Sequence, residues 1–306
     1  MESLKLKPIA HPHKKISTDT RNHWRAALFL LPSWLLLLVF FFGPILLTFY
    51  FSFTNMTLTG AASEDVLFIG LDNFVSFFAD PSFMTVILNT LIFLVLSAII
   101  GQQALGLLIA LLMNKRDKNF RRLIGTLVLI GWVTPEIVVA FTFFAFFSDQ
   151  GTMNAMLAAV HLEPLKWLYQ YPMTSVVIAN IWHGTAFSML VFQAALSGVP
   201  QELEEAAMID GATVWQRLWR IIMPIIKGSI MTNMVLVSLQ TLGVFTLIYA
   251  LTGGGPGVKT ETLPIFMYHQ AFVNFQLGYG TAISLILLLI GMLISIAYIR
   301  LLKVKI

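Results

Sequence analysis

The chain has 306 residues, of which 58% are hydrophobic and only 11% are charged, whereas soluble domains carry about 25% charged residues. This composition excludes an ordinary soluble protein, and the lack of any cysteine excludes disulfides, thiol chemistry and metal sites built on cysteine. The net charge of +4 does not indicate a nucleic-acid partner, because nearly all the cations lie beside the ends of long apolar runs.

Six apolar segments are long enough to cross a membrane, since a helix needs roughly 20 apolar residues to span the hydrocarbon. They predict an all-α polytopic membrane protein with six transmembrane helices, at residues 26–51, 84–112, 123–147, 172–197, 229–252 and 279–300. We expect residues 1–25 to form a basic cytoplasmic tail and residues 26–306 to form one transmembrane domain.

The positively charged residues predict how these helices are oriented. Seventeen of the 19 Lys and Arg residues lie in the tail, in the 113–122 and 198–228 loops and at the C-terminal end. The other connections contain only Lys166 and Lys259. Because cytoplasmic loops carry the excess of Lys and Arg in membrane proteins, we expect both termini and the 198–228 loop to lie in the cytoplasm.

The 198–228 loop is polar, and its first half predicts a short helix. Glu202, Glu204 and Glu205 fall in the first turns of this helix, where carboxylates interact favourably with the positive end of the helix dipole. Gly211 can adopt the positive φ that ends a helix. The positions that recur at helical spacing are Leu203, Ala206, Ala207 and Asp210.

The second half of this loop predicts a second helix. Thr213 and Gln216 have the spacing of a capping box, and we expect Pro224 to end the helix before the fifth transmembrane segment. A face of acids and alanines suits a groove on another protein. The alternative is an amphipathic hairpin that lies at the membrane interface without a partner.

A resemblance to a known family sharpens this prediction. Glu205-Ala206-Ala207, then Gly211, then Ile221-Ile222-Met223-Pro224 resemble the EAA loop, E-A-A-x3-G-x9-I-x-L-P, of the membrane subunits of ABC importers, with Met223 in place of Leu. The resemblance implies that this loop couples a pore to a separate ATPase subunit, that Glu205 meets a basic group there and that Gly211 sets the bend. The coupling residues that it implies are Glu205, Ala206, Ala207, Asp210, Gly211 and Pro224.

Two further stretches resemble the carbohydrate-uptake (MalF/UgpA-like) branch of these binding-protein-dependent importers. They are Gly70-Leu71-Asp72-Asn73-Phe74 and the segment from Thr252-Gly253-Gly254-Gly255-Pro256 to Gly278-Tyr279-Gly280. The resemblance implies the type I importer permease fold in a prokaryotic cell membrane, a second homologous permease, an extracytoplasmic solute-binding protein and two ATPase subunits. ATP and Mg would be bound by the ATPase subunits, so this chain would be non-catalytic and hold no cofactor.

Two helical stripes are candidates for contacts with a sugar, which is held by hydrogen bonds and by stacking on aromatic rings. Asn180, Gly184 and Phe187 lie on one stripe of the fourth predicted helix, and Gln240 and Thr241 lie on the fifth. The resemblance to maltose-type permeases implies that these positions line the site in the middle of the membrane. The alternative is packing between helices, in which small and polar residues are common.

Other chemical signals in the sequence are weak. Residues 253–260 approach the phosphate-binding pattern G-x4-G-K-[ST], but Val258 replaces the second glycine and no strand is predicted before it. The six histidines are scattered and predict no metal site. Glu136 is the single acid well inside a predicted helix, where it is either satisfied at a kink made by Pro135 or in contact with the substrate.

The rival hypothesis from another class is a secondary transporter driven by protons or sodium, which would need charged pairs or broken helices in repeated halves. A membrane enzyme is a poor alternative, because catalytic side chains do not cluster. Among ABC importers, a glycerol-phosphate or polyol permease remains possible. The predicted helices contain no Lys or Arg except Arg300, at the last position of the sixth, which favours a neutral sugar over a phosphate.

Overall fold

The computed structural model describes residues 20–114 and 116–302. Apart from turns and irregular segments, this part of the chain is helical, with one isolated bridge between Thr54 and Phe68. Five helices are long and apolar enough to cross a membrane, and a sixth span is formed if a bent pair is taken as one. The spans are Phe29–Ser52 (span 1), Phe83–Met113 (span 2), Lys118–Val133 with Glu136–Phe147 (span 3), Pro172–Ser197 (span 4), Val214–Leu242 (span 5) and Leu277–Arg300 (span 6). The predicted fold class is confirmed.

Short helices lie between the spans, and π-helical turns interrupt several long ones. The short helices are Ala61–Glu64, Asp72–Ala79, Thr152–Ala159, Trp167–Gln170, Gln201–Ile209, Thr246–Thr252 and Leu263–Tyr268. The π-helical turns are Leu38–Phe42, Leu94–Gln102, Leu218–Ile222 and His269–Val273.

The chain divides into two compact units, residues 1–48 and 49–306. In the first unit a helix begins at Thr20, passes through the π-helical turn Leu38–Phe42 and continues from Gly43. The helix therefore begins before the predicted boundary at residue 26. Most of the predicted basic tail, residues 1–19, lies outside the described residues.

Span 3 is broken, whereas the sequence predicted one helix over residues 123–147. Lys118–Val133 lies at 100° to the segment Glu136–Ala159. Pro135 causes the break, because a proline has no N–H to donate and disfavours helical backbone in the residue before it. Thr134 accordingly has an extended ψ of 127°.

Span 5 differs from the prediction at both ends. Its helix begins at Val214 and passes through Pro224, so the expectation that Pro224 ends a helix was wrong. The π-helical turn Leu218–Ile222 directly precedes this region, and such a turn rearranges the hydrogen-bond ladder where the proline lacks its N–H. The helix ends at Leu242, and the predicted remainder of the span is the separate helix Thr246–Thr252.

Span 4 lies at the centre of the second unit, and its bounds, Pro172–Ser197, match the predicted ones. One apolar cluster joins it to span 2, the second half of span 3 and the helix Thr246–Thr252. Another joins it to the end of span 2 and the start of span 5. Ala179, Ala186 and Met189 of span 4 are fully buried. Small residues at such contacts let helices approach closely.

Candidate coupling surface and translocation path

The loop between spans 4 and 5 forms a helical hairpin, Gln201–Val214, that we call the coupling hairpin. The helix Gln201–Ile209 ends in a Schellman motif, in which the N–H of Ala212 donates to Ala207 O at 2.9 Å and that of Gly211 donates to Met208 O at 3.1 Å. Gly211 has a φ of +76°, which glycine adopts without the steric cost that other residues incur. The predicted end of the helix is confirmed.

A capping box then starts span 5, as predicted. The Thr213 N–H donates to Gln216 Oε1 at 2.8 Å, and the Gln216 N–H donates to Thr213 Oγ1 at 3.3 Å. Because local hydrogen bonds close both the end of the helix Gln201–Ile209 and the start of span 5, nearby residues determine the angle between these two helices.

The coupling hairpin presents the predicted residues at an exposed surface. Glu205 is exposed and accepts a hydrogen bond from Gln201 Nε2 at 2.8 Å, while Ala206 and Asp210 are exposed and Ala207 is half-buried. Pro224 is exposed within the first half of span 5, away from the turn. The first five predicted coupling residues are therefore together on the hairpin, and Pro224 is a part of the helix that follows.

The sequence analysis missed the apolar character of this surface. Ile209 is 87% exposed and Trp215 is 67% exposed, and Trp215 stacks edge-on against Trp219 with 5.6 Å between ring centroids. Leu203, Met208 and Val214 are also exposed. Two tryptophans four residues apart beside an acidic helix were the available signal, since exposed aromatic residues are enriched at protein interfaces.

A small cavity of about 230 Å³ lies between the hairpin and the end of span 2, and residues of both line it. Glu204 is buried there beside Arg217, Leu111 and Asn114. The Arg217 Nε and Nη1 atoms are buried and have no hydrogen-bond partner among the described residues. Glu204 therefore belongs to the inner face of the hairpin, while Glu205 next to it belongs to the outer face.

The predicted substrate stripe of span 4 is engaged in packing. The Asn180 Nδ2 donates to Ser97 Oγ at 2.9 Å, and the Asn180 carbonyl accepts from Gln102 Nε2 at 3.0 Å. A Cβ at Gly184 would collide with the carboxamide of Gln102. Phe187 is half-buried against Trp132, with 5.9 Å between ring centroids.

The two predicted substrate residues of span 5 face different environments. Gln240 is exposed, whereas Thr241 is only 3% exposed. Both precede the break after Leu242, where the Gly243 N–H donates to Gln240 O at 3.1 Å. The three residues of span 4 contact spans 2 and 3, and of the five predicted residues Gln240 alone is exposed.

A second polar contact, which the sequence analysis did not identify, joins three spans. The Asn233 Nδ2 donates to Gln103 Oε1 and to Ser188 Oγ, both at 2.9 Å. All three residues are buried. The π-helical turn Leu94–Gln102 ends at this level, and the adjacent Gln102 and Gln103 bond to span 4 and span 5 respectively. Two adjacent glutamines within an apolar run were the sequence signal for this contact.

The glycine-rich segment between spans 5 and 6 folds back against span 2. The Asn89 Nδ2 donates to Val258 O at 2.7 Å and to Glu261 O at 3.2 Å, and Thr90 Oγ1 accepts from the Leu263 N–H at 2.9 Å. Glu261 Oε1 lies 2.8 Å from His269 Nδ1. The segment follows the helix Thr246–Thr252, so the strand that a phosphate-binding loop needs does not precede it.

Glu136 begins the second helix of span 3 and is half-buried. The neighbouring Thr134 carbonyl lies 3.2 Å from His183 Nε2. The side chain of Glu136 has no hydrogen bond within the described part of the chain. The predicted kink at Pro135 is present, and the role of Glu136 stays a prediction.

Comparison with known proteins places the chain in a family. Residues 102–303 match the family described as the binding-protein-dependent transport system inner membrane component. The chain is 31% identical to the sulfoquinovosyl glycerol transport system permease protein SmoG of Agrobacterium fabrum, over 94% of this chain and 93% of that protein. It is also 31% identical to the trehalose/maltose transport system permease protein MalF of Thermococcus litoralis, over 89% and 92%.

A third relative is the sn-glycerol-3-phosphate transport system permease protein UgpA of Agrobacterium fabrum, at 34% identity over 85% of this chain and 88% of that protein. The fold matches a chain of a bacterial alginate ABC transporter crystallised with an alginate pentasaccharide-bound periplasmic protein. The TM-score is 0.79 with 24% identity, over 94% of this chain and 96% of that chain. The chain belongs to the family of inner membrane components of binding-protein-dependent transport systems.

Proposed function

We propose that this chain is a membrane subunit of an ATP-driven importer for a neutral sugar delivered by an extracytoplasmic binding protein. The proposal rests on the coupling hairpin. It presents Glu205 and a set of exposed apolar side chains beside a turn that is closed by its own hydrogen bonds. Such a surface fits a groove on another protein. The relatives named for trehalose, maltose and sulfoquinovosyl glycerol transport support a sugar or glycoside as the solute.

The coupling residues have separate roles in this proposal. The carboxylate of Glu205 pairs with a basic group of an ATPase subunit, and Ala206 and Ala207 allow close approach. Gly211 and Asp210 form the end of the helix, so they set the angle between the docking helix and span 5. Pro224 lies farther along span 5 and acts on the helix rather than at the docking surface.

The complex would contain this chain, a second homologous permease, two ATPase subunits and the binding protein. The ATPase subunits would bind ATP and Mg, so this chain performs no catalysis. Both termini would lie in the cytoplasm of a prokaryotic cell. The pore would open alternately to the outside and the inside, with Asn180, Gly184, Phe187, Gln240 and Thr241 along the path when spans 4 and 5 separate.

Glycerol 3-phosphate is the second candidate solute, favoured by the 34% identical relative UgpA. A phosphate would require cations along the path. The cations of span 5 are Arg217, Arg220 and Lys227, all in the half nearest the coupling hairpin. A neutral sugar therefore agrees better with the middle of the span.

Affinity purification from native membranes in mild detergent tests the proposal. We expect mass spectrometry to identify an ATPase, a second permease and a binding protein, and we expect vesicles to take up the solute only with ATP. Glu205→Lys should remove the ATPase from the purified complex, whereas Glu202→Lys, at another exposed acid of the same helix, should retain it. Uptake driven by an ion gradient without ATP would contradict the proposal.

A further inference from the structure

A polar cavity of about 430 Å³ lies in the second unit, in the size range of small-molecule sites. The segments that bound it join span 1 to span 2 and span 5 to span 6. The coupling hairpin joins span 4 to span 5, so the cavity lies at the other end of the helices. We call it the outer cavity.

The walls of the outer cavity are held in place by buried hydrogen bonds. The Asn73 Nδ2 donates to Ser52 O at 2.9 Å and to Thr54 O at 2.8 Å. The Gly278 N–H donates to Met56 O at 2.8 Å, and a Cβ at Gly278 would collide with the carbonyl of Thr54. The two bounding segments are thereby fastened to each other, and the cavity is preformed.

The lining of the outer cavity offers neutral donors and acceptors. Four carboxamides contribute to it: Asn55, Asn73, Gln270 and Gln276. Asn55 Oδ1 accepts from the Leu67 N–H at 2.8 Å and Gln270 Oε1 accepts from Asn274 Nδ2 at 2.9 Å. These bonds engage the oxygens of the two carboxamides and orient the groups. Their amino groups are then available to donate hydrogen bonds to a ligand.

A carboxylate and an aromatic ring complete the lining. Asp80 Oδ1 accepts from the Ser82 N–H at 2.7 Å, and Tyr279 donates its hydroxyl hydrogen to Asp80 Oδ2 at 3.3 Å. The ring of Tyr279 and the side chain of Met56 give the cavity an apolar wall. Among the described residues that line the cavity, none carries a positive charge, so the lining is unsuited to a phosphate or to an acidic ligand.

We propose that the outer cavity is a second binding site for a neutral polyhydroxylated ligand, namely a sugar, separate from the predicted site between spans 4 and 5. Vicinal hydroxyls donate and accept hydrogen bonds at once, which carboxamides and a carboxylate can match, and the apolar wall accommodates the C–H face of the ring. The identity of the ligand rests on the proposed function. A site at this end would hold the sugar before it reaches the path.

Saturation-transfer NMR on the purified complex in nanodiscs tests the proposal, with maltose, trehalose, sucrose and glycerol as probes. We expect transfer to at least one sugar, and we expect Gln276→Ala and Asp80→Asn to weaken its binding about fivefold, the effect of one lost hydrogen bond. Gln170→Ala is the matched control, because Gln170 is likewise exposed on an outer connection. If Asp80→Asn does not fold, the binding of the sugar to the Gln276→Ala variant decides the test, because Gln276 is exposed.

Three results would overturn the proposal. They are the absence of transfer to every probe, transfer that Gln276→Ala leaves unchanged, and a loss of docking by the binding protein with sugar binding intact. The last result would assign the cavity to a protein loop. ATP-driven uptake by the same preparation separates the hypotheses, since uptake without a sugar signal from the outer cavity contradicts this proposal alone.

Discussion

Gly211 is the residue on which the geometry of the coupling hairpin depends. Its φ is +76° and a Cβ there would meet no atom within 4 Å, so a substitution acts through backbone conformation and not through a clash. An L residue in the left-handed region costs about 1–2 kcal/mol. We expect Gly211→Ala to reduce the amount of ATPase that copurifies and Gly211→Pro to abolish it, because proline also removes the N–H that bonds to Met208.

Gly257 provides the matched control for this prediction. It has a φ of +61° and equally open surroundings, but it lies between spans 5 and 6. Gly257→Ala should therefore retain the ATPase while straining the backbone by a similar amount. Equal losses in the two variants, or normal copurification with Gly211→Pro, would show that the hairpin angle does not control docking.

A substitution at Gly184 can distinguish between the two roles that the sequence left open for this residue, namely substrate contact and helix packing. In this state a Cβ at Gly184 would strike the Gln102 carboxamide, which bonds to the Asn180 carbonyl. We expect Gly184→Ala to destabilise the protein by about 1–3 kcal/mol through overpacking, measured as a lower melting temperature in detergent. Gly228→Ala, in an open part of span 5, should not lower it. An unchanged melting temperature for Gly184→Ala would contradict the packing role.

At the scale of elements, the sequence was sufficient to predict the end of a helix where neighbouring residues determine that end. Pro172 at the start and Gly198 at the end delimit span 4, and the turn at Gly211 and the cap at Thr213 are formed by residues within six positions of each other. Span 5 was not predictable in the same way. Its apolar run continues past Gly243, where the helix stops, and a π-helical turn carries the helix through Pro224, which hydrophobic periodicity does not reveal.

The candidate site was predictable only in part for a related reason. The predicted coupling residues other than Pro224 lie between Glu205 and Gly211, so their spacing alone places them together. The bond between Asn233 and Gln103, which are 130 residues apart, depends on the register between two helices, and no local pattern specifies that register. The same holds for Asn180, whose partner Ser97 could not be identified from span 4 alone.

The glycine-rich segment between spans 5 and 6 depends on one such long-range contact. Asn89 donates to the carbonyls of Val258 and Glu261, so Asn89→Ala leaves buried groups unpaired at a cost of about 1–3 kcal/mol. We expect a lower melting temperature and faster proteolysis between residues 253 and 262. Asn274→Ala, which removes an exposed bond to Gln270, should change neither. Proteolysis at the unmodified rate in Asn89→Ala would mean that other contacts hold the segment.

At the scale of the whole molecule, span 5 connects the coupling hairpin to the predicted substrate residues Gln240 and Thr241 as one helix that includes the π-helical turn Leu218–Ile222. Its 29 residues extend about 40 Å at 1.5 Å per residue. One end begins at the capping box and the other ends beside Gln240 and Thr241. A displacement of the hairpin by a partner would therefore reach the predicted substrate residues of span 5 through a single helix, and the bonds of Asn233 would transmit it to spans 2 and 4.

The orientation of the molecule in the membrane can be tested directly, because the chain has no cysteine and single cysteines can be introduced into this background. The distribution of Lys and Arg predicts that the coupling hairpin is cytoplasmic, and the connection between spans 3 and 4 must then lie outside. We expect a membrane-impermeant maleimide to label Glu163→Cys in right-side-out vesicles and Glu202→Cys only in inside-out vesicles. Both positions are exposed, so a difference reports sidedness and not burial. The reverse pattern would invert the orientation, and labelling of both from one side would contradict an odd number of crossings between them.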